Sequence, residues 1–475
     1  MKASDNTYQF LIDNKWTDSE SGESVDIISP HDNSVVGKLQ TLTNDEIDKV
    51  FGSSYRAYLE WKELPLFERA QILNKAADIM EGKQEIMAKS LEEEIGKSKD
   101  SAKNEVKRSI DYIRFVVDAA RNMTGEIFYG DAFEGFPKGS KIGLMSRVPL
   151  GVILAISPYN YPINLSITKI APALIAGNTL VLKPATQGAI AALNMVDCFI
   201  EAGLPKGVMN TITGKSSKIG DYVVTHKRVA LLAFTGSSET GRKIAKLTGG
   251  RIPLLMEMGG KDSSIVLGDA DLEMTAEQLV KGGLSFCGQR CTAVKRVFVD
   301  PKVIDELAKL VVERAKKVKL GPLVNTAQKD FVVSLIEDAK KNGAKVNLEG
   351  KIDGNSIQPT VISNVTEKSK IFHEEQFGPV IPLSRMDDLD KAIEWINNSQ
   401  YALQSSIYTK DIDKAFEIAE KLDTGSVQIN GKSDRGPDNF PFIGIRDSGI
   451  GPAQGTKETI RAMTREKIIV LNRKL

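Results

Sequence analysis

From Met145 onward the chain alternates short apolar runs with helical stretches, and this alternation limits its fold more than any other feature. GVILAIS leads into ITKIAPALIAGN, TLVLKPA into AIAALNMVDCFIEAG, VMNTITG into SSKIGDYVVTH, and ALLAFTG closes the series. Continuous apolar runs mark strands covered on both faces, and a helix between successive strands makes βαβ units in a parallel, doubly wound sheet. A second series starts near Lys295: VKRVFVD reads as a strand, VIDELAKLVVERAKKV and FVVSLIEDAKKNG as helices, and PVIPLSRM, LDKAIEWINNS, SSIYTK, KAFEIAEKL and GSVQIN continue the alternation. Two such series in 475 residues predict an α/β protein with two sheets, since a chain of this length exceeds one core.

The remaining segments have another texture. QFLIDNKW reads as short strands, and DEIDKVFGSSYRAYLEW and FERAQILNKAADIMEGKQEIMAKSLEEEIG carry apolar residues at helical spacing. EIFYGDAF, KIGLMSRV and EKIIVLNRK fall outside both series. They are expected to be arms that pair with each other or with another subunit.

Charge narrows the choice of partner. With 63 basic and 62 acidic residues the formal net charge is +1, so nothing draws the chain as a whole to nucleic acid or an anionic membrane; an anion site has to be local. The cysteines (Cys198, Cys287, Cys291) and histidines (His31, His226, His373) form neither a disulfide framework nor a metal-ligand spacing, which points to a reducing compartment and no metal. MKASDNTYQFLIDNKW lacks the apolar segment of a secretory signal, and VPLGVILAI is too short to span a bilayer. A cytoplasmic protein is expected.

Five stretches carry chemistry, each with a bland alternative. FTGSSETG (234–241) ends a strand and opens a helix, a turn that admits a phosphate to backbone N–H groups or is simply capped by serine. TLVLKPATQG puts Lys183 at a strand end, where open α/β sheets bind ligands. No acidic residue lies between Asn178 and Asp197, which favours a ribose 2′-phosphate, and so NADP over NAD. In SPYNYPIN, Asn160 either donates to an oxyanion or serves the turn. In LLMEMGGKDSSIV, Glu257 sits among apolar residues, either as a general base or in a salt bridge. In GGLSFCGQRCTAVKR, Cys291 is either an inert small hydrophobe or a nucleophile whose thiolate Arg290, Lys295 and Arg296 would favour. Cys198 reads as core, and Cys287 as structural.

SPYNYP, KPAT, FTGS, MEMGGKD, GQRCTAVKR, EEQFGPV and SGIG, in this order along nearly the whole chain, resemble the aldehyde dehydrogenase superfamily. NYPINLSITKIAPALIAGN, ITGKSSKIGDY, GQRCTAVKRV and RGPDNFPFIG resemble most its NADP-dependent non-phosphorylating glyceraldehyde-3-phosphate branch. The resemblance implies a Rossmann-like cofactor domain (1–125 and 146–258), an α/β catalytic domain (259–452) and a β oligomerisation arm (126–145 and 453–475) that makes a homodimer or homotetramer. It implies Cys291 as nucleophile, Asn160 with the Cys291 backbone N–H as oxyanion donors, and Glu257 as the base that activates the hydrolytic water. Arg108, Tyr161, Arg290, Thr292 and Arg435 would meet the phosphorylated substrate. Pro158, Lys183, Thr186, Gly236, Ser237, Glu375 and Phe377 would meet NADP, with NAD as the other possible cofactor.

The activity implied is irreversible oxidation of D-glyceraldehyde 3-phosphate to 3-phosphoglycerate. The alternatives are another small anionic aldehyde such as succinate semialdehyde, a CoA-acylating enzyme (disfavoured by Glu257), and a non-catalytic nucleotide-binding protein. Three departures stand out: KVKLGPLVNT runs without the usual longer loop, Phe286 and Cys287 replace a Tyr-Ser pair, and Met258 replaces Leu.

Overall fold

The computed structural model describes residues 6–473; the outermost residues of the 1–125 and 453–475 spans lie outside them. Two sheets dominate. The first has six strands in the spatial order Met209–Thr211, Thr179–Lys183, Val152–Ile156, Val229–Thr235, Leu254–Glu257 and Gly449–Ile450. The first five are mutually parallel and the last is antiparallel. In chain order the parallel strands run 3-2-1-4-5, so the sheet reverses direction of growth between Val152–Ile156 and Val229–Thr235. A crevice opens beyond the carboxyl ends of strands at such a point. The residues that expectation placed in a site stand at those ends: Ile156 pairs with Lys183 and with Phe234, and Thr235 pairs with Glu257.

These strands form where apolar runs leave no polar face. Every residue of Thr179–Lys183 is buried, including Lys183 itself. Helix Asn164–Ile175 is buried along its whole length, packed against the sheet on one side and the long helix Lys99–Arg121 on the other. That long helix begins at Ser98, whose side chain accepts from the Ser101 N–H and so satisfies one orphan donor of the first turn.

The second sheet has seven strands: Lys345–Leu348, Thr360–Ser363, Val380–Arg385, Arg296–Val299, Ser263–Val266, Gln404–Tyr408 and Ser426–Ile429. All are parallel except Lys345–Leu348. Gly449–Ile450, inside the span expected for the second domain, instead closes the edge of the first sheet. The three arm pieces pair with each other. Thr464–Asn472, Lys141–Pro149 and Glu126–Tyr129 make an antiparallel sheet, and Lys141–Pro149 runs unbroken through the expected boundary at 145/146. Ile468, Ile469, Val470 and Leu471 are all exposed although consecutive residues of a strand face opposite ways. Neither face of that strand is covered.

Candidate active site

A cavity of about 600 Å³ follows the crevice of the first sheet. Lys183 and Ser216, Asn160 and Cys291, and Glu375 and Phe377 line it. So do Pro158, Gly236 and Ser237. Helix Ser238–Thr248 points its N-terminus at this wall, with Ser237 accepting from the Thr240 N–H, so the partial positive charge of the helix end faces the cavity. A Cβ on Gly236 would come within 2.5 Å of the tip of the Phe234 ring, so a larger residue there would force that ring to move.

Lys183 donates to Ser216 Oγ at 2.8 Å, and no carboxylate pairs with it among the described residues. Burial pulls its pKa down to about 8, because a low-dielectric site penalises the charged form. Thr186, expected beside it, does not line the cavity; Ala185, Ser216 and Ser217 do. From sequence the SSKIG stretch reads only as a helix start.

Cys291 lines the cavity and is half-buried. Its thiol donates to Glu257 Oε1 at 3.0 Å, and Glu257 Oε2 accepts from Arg435 Nη1 at 2.8 Å. Thiol, carboxylate and guanidinium thus form a continuous line. Burial, then the charge and hydrogen bond of Glu257, push the Cys291 pKa well above the ordinary thiol range. The flanking basic residues therefore do not make a thiolate here. Arg296 turns away to Ser263 Oγ and the Phe372 carbonyl. Arg290 donates to the Gly282 carbonyl at 2.6 Å and Asp434 Oδ1 at 3.3 Å. Lys295 opposes that rise while donating to the Cys291 carbonyl and lying 3.1 Å from Glu375.

The Asn160 amide donates one proton to the Gln289 carbonyl at 2.9 Å, which leaves its second N–H for a ligand. The Cys291 backbone N–H makes no hydrogen bond among the described residues. Gln289 is itself held by the Val324 N–H, which donates to its Oε1 at 2.9 Å. The direct run KLGPLV thus braces the nucleophile loop. Cys287 donates from Sγ to the Gly321 carbonyl at 3.2 Å, and burial raises its pKa to about 12.

Beyond the thiol lies an ionic cluster. Arg108 grips Asp438 with two bonds, Nε to Oδ2 at 2.9 Å and Nη2 to Oδ1 at 2.7 Å. The segment 432–438 supplies Lys432, Asp434, Arg435 and Asp438, and Lys432 pairs with Asp434. Burial first, then the charges of Arg290 and Arg108, lower the Lys432 pKa to about 8. Tyr161 and Thr292, also expected here, are half-buried and buried; Thr292 makes no side-chain hydrogen bond among the described residues.

A thiol hydrogen-bonded to a carboxylate in a nucleotide-sized crevice fits the sequence motifs, and comparison decides the family. A profile of the aldehyde dehydrogenase family matches residues 16–469. The chain belongs to that family.

Among relatives of this aldehyde dehydrogenase, the NADP-dependent glyceraldehyde-3-phosphate dehydrogenase of Arabidopsis thaliana is 44% identical over 98% of this chain and 95% of its own. The Streptococcus equinus protein of the same name is 43% identical, covering 98% of both chains. The crystal structure of the NADP-dependent glyceraldehyde-3-phosphate dehydrogenase of Bacillus halodurans complexed with NADP superposes with a TM-score of 0.96 at 42% identity, covering 98% of this chain and 99% of that one. Sequence reasoning misses Lys97, Glu105, Lys169, Ser216, Asp434 and Asp438 in this aldehyde dehydrogenase. Burial pulls the Lys169 pKa down to about 7, and its ammonium donates to Thr235 Oγ1 at 2.7 Å.

Proposed function

We propose that this aldehyde dehydrogenase oxidises D-glyceraldehyde 3-phosphate to 3-phosphoglycerate with reduction of NADP, through a thioester on Cys291 that water hydrolyses. The observation that carries the reading is the line from the Cys291 thiol through Glu257 to Arg435, with the guanidiniums of Arg108 and Arg290 in the same ionic cluster. The cavity fits NADP: Lys183, a buried ammonium whose partner is a hydroxyl, suits a 2′-phosphate, and the helix end at Ser237 suits the pyrophosphate. NADP, when bound, accepts the hydride.

The chain's own residues do the rest. Glu257 takes the thiol proton as Cys291 attacks the aldehyde carbon. The oxyanion forms between the free N–H of Asn160 and the Cys291 backbone N–H, donors that stabilise charge developing in the transition state. Once that first proton has passed to solvent, Glu257 draws a proton from the water that attacks the thioester and returns it to the departing Cys291 sulfur, and the acid product ionises to the carboxylate. Arg108, Arg290 and Arg435 hold the phosphate, with Tyr161 and Thr292 completing the substrate pocket. Pro158, Glu375 and Phe377 take the remaining cofactor contacts.

We read residues 1–125 and 150–258 as the cofactor domain, with Gly449–Ile450 added at its sheet edge, 259–448 as the catalytic domain, and 126–149 with 453–475 as the arm through which copies of the chain form a dimer or tetramer. The uncovered apolar strand at Ile468–Leu471 supports that last part. A reducing cytosol suits the free cysteines.

The test is NADPH formation from D-glyceraldehyde 3-phosphate in buffer free of phosphate and arsenate, with NAD run beside it. Turnover faster with NADP is the expected result. Absence of turnover, together with activity on succinate semialdehyde, would overturn the substrate assignment and keep the reaction class.

A further inference from the structure

Lys97 lies in the elbow between helix Gln84–Ile95, closed by Gly96 in a left-handed turn, and the long helix Lys99–Arg121. Its side chain is fully buried and ion-paired with Glu105, equally buried. The ammonium lies 3.6 Å from the centre of the Tyr161 ring and 4.7 Å from that of Phe286. The two rings meet edge to face, 6.0 Å apart. The cation is therefore enclosed by two aromatic faces and one carboxylate, an arrangement that attracts a desolvated ammonium strongly.

Each wall of this enclosure leads to the active site by a different route. Tyr161 follows Asn160 directly, and its hydroxyl makes no hydrogen bond among the described residues. Glu105 Oε1 accepts from the N–H groups of Ile163 at 2.9 Å and Asn164 at 3.1 Å, fixing the far end of the same turn. Three residues on, one turn along the helix, is Arg108. Phe286 and Cys287 both hold a positive φ, +49° and +56°, a conformation that costs non-glycine residues energy and persists only where surroundings enforce it. They lead to Cys291 through Gly288, Gln289 and Arg290. A buried ion pair serving stability alone is replaceable by apolar side chains; this one joins the oxyanion turn, an arginine of the ionic cluster and the nucleophile loop.

We propose that Lys97 is a positioning residue for the reaction, whose caged ammonium holds Tyr161 and Phe286 in place and thereby registers the substrate pocket with the Cys291 loop. The proposal rests on Tyr161 facing the substrate. Burial lowers the Lys97 pKa to about 8, with the charge and hydrogen bond of Glu105 opposing and Arg108 adding to the fall. The titratable groups facing it are Glu105, Arg108 and the Tyr161 phenol. The ammonium weakens as pH rises through about 8, and the cage weakens with it.

The test compares wild type with K97M/E105Q, in which the amide oxygen introduced at position 105 still accepts the two backbone N–H groups and no lone charge is left buried. We expect KM for D-glyceraldehyde 3-phosphate to rise at least tenfold while the Kd for NADP stays within twofold. Wild type should show a rise in KM above about pH 8 that is absent in the double variant. An unchanged KM at unchanged NADP affinity overturns the proposal, as does a parallel loss of aldehyde and NADP binding, which marks a merely structural pair. F286L removes one wall with both charges intact; it should raise KM three- to tenfold, and decides the matter if the double variant does not fold. Should wild type prefer another aldehyde, the same comparison is made on that aldehyde, so failure of the substrate assignment and failure of the Lys97 role are separate results.

Discussion

The cavity leading to Cys291 and the ionic cluster beyond it are built in opposite ways. The cavity is walled by strand ends, turns, apolar side chains and the Lys243–Asp221 ion pair, and its buried ammonium, Lys183, hydrogen-bonds a hydroxyl and no carboxylate among the described residues. In the cluster each arginine already holds a carboxylate: Arg108 has Asp438, Arg290 has Asp434, and Arg435 has Glu257. A single ammonium can wait in a dry site at the cost of a lowered pKa, whereas three guanidiniums side by side repel one another unless neutralised. An incoming phosphate therefore enters a preformed space on one side of the nucleophile and joins a balanced charge network on the other. Glu257 belongs to both, since it touches the thiol and Arg435.

Replacing Glu257 therefore has the largest expected effect. Glu257→Gln should slow steady-state turnover by roughly 10²–10⁴, the range that one general base contributes, and, because Glu257 also takes the thiol proton, the first NADPH per active site should form more slowly too. Single-turnover absorbance at 340 nm checks this. A fall of less than about tenfold would mean that another group activates the water, and an undiminished first turnover that another group takes the thiol proton.

Arg108 tests whether the cluster recognises the phosphate or only holds the fold. Arg108→Met should lower kcat/KM for the phosphorylated aldehyde by about 10- to 150-fold, equivalent to ~1.5–3 kcal/mol for charge-assisted hydrogen bonds, and leave unphosphorylated glyceraldehyde nearly unchanged. It also strands the Asp438 carboxylate, so Tm should fall. R108M/D438N should recover the Tm without recovering kcat/KM. Recovery of both would reassign Arg108 to stability alone.

Sequence reasoning reached the cavity far better than the cluster, and the reason is geometric. A parallel sheet brings strand ends together whatever the side chains, so Asn160, Lys183, Gly236 and Glu257 were legible as residues that follow or close an apolar run. Cys291 was legible from its motif. The state of its thiol was not, because that depends on Glu257, 34 residues away, and on burial. Asp438 reaches Arg108 across 330 residues, and nothing local in RGPDNF marks it as a partner. Lys97 reads as one more charge in the stretch EEEIGKSKDSAK; only the fold encloses it. Arg296 misled for a related reason: it opens the strand Arg296–Val299, and strand geometry turns its side chain away from the loop that carries Cys291.

Lys183 offers the smallest effect and the sharpest test of the cavity side. Because burial depresses its pKa to about 8, the ammonium is present in the empty protein below that pH and is lost as pH rises through it. A 2′-phosphate binds the charged form, so NADP affinity should weaken above about pH 8 while NAD affinity stays level. Lys183→Met should weaken NADP about tenfold, the equivalent of one charge-assisted hydrogen bond of ~1.5 kcal/mol, flatten the pH dependence, and leave NAD within about twofold. Fluorescence titration of both nucleotides between pH 6 and about 9.5, spanning the shifted and ordinary lysine ranges, separates the cases. If both weaken equally, Lys183 serves the ribose that the two nucleotides share. Discrimination would then pass to Ser216 and Ser217, neutral donors whose contribution does not titrate over that range.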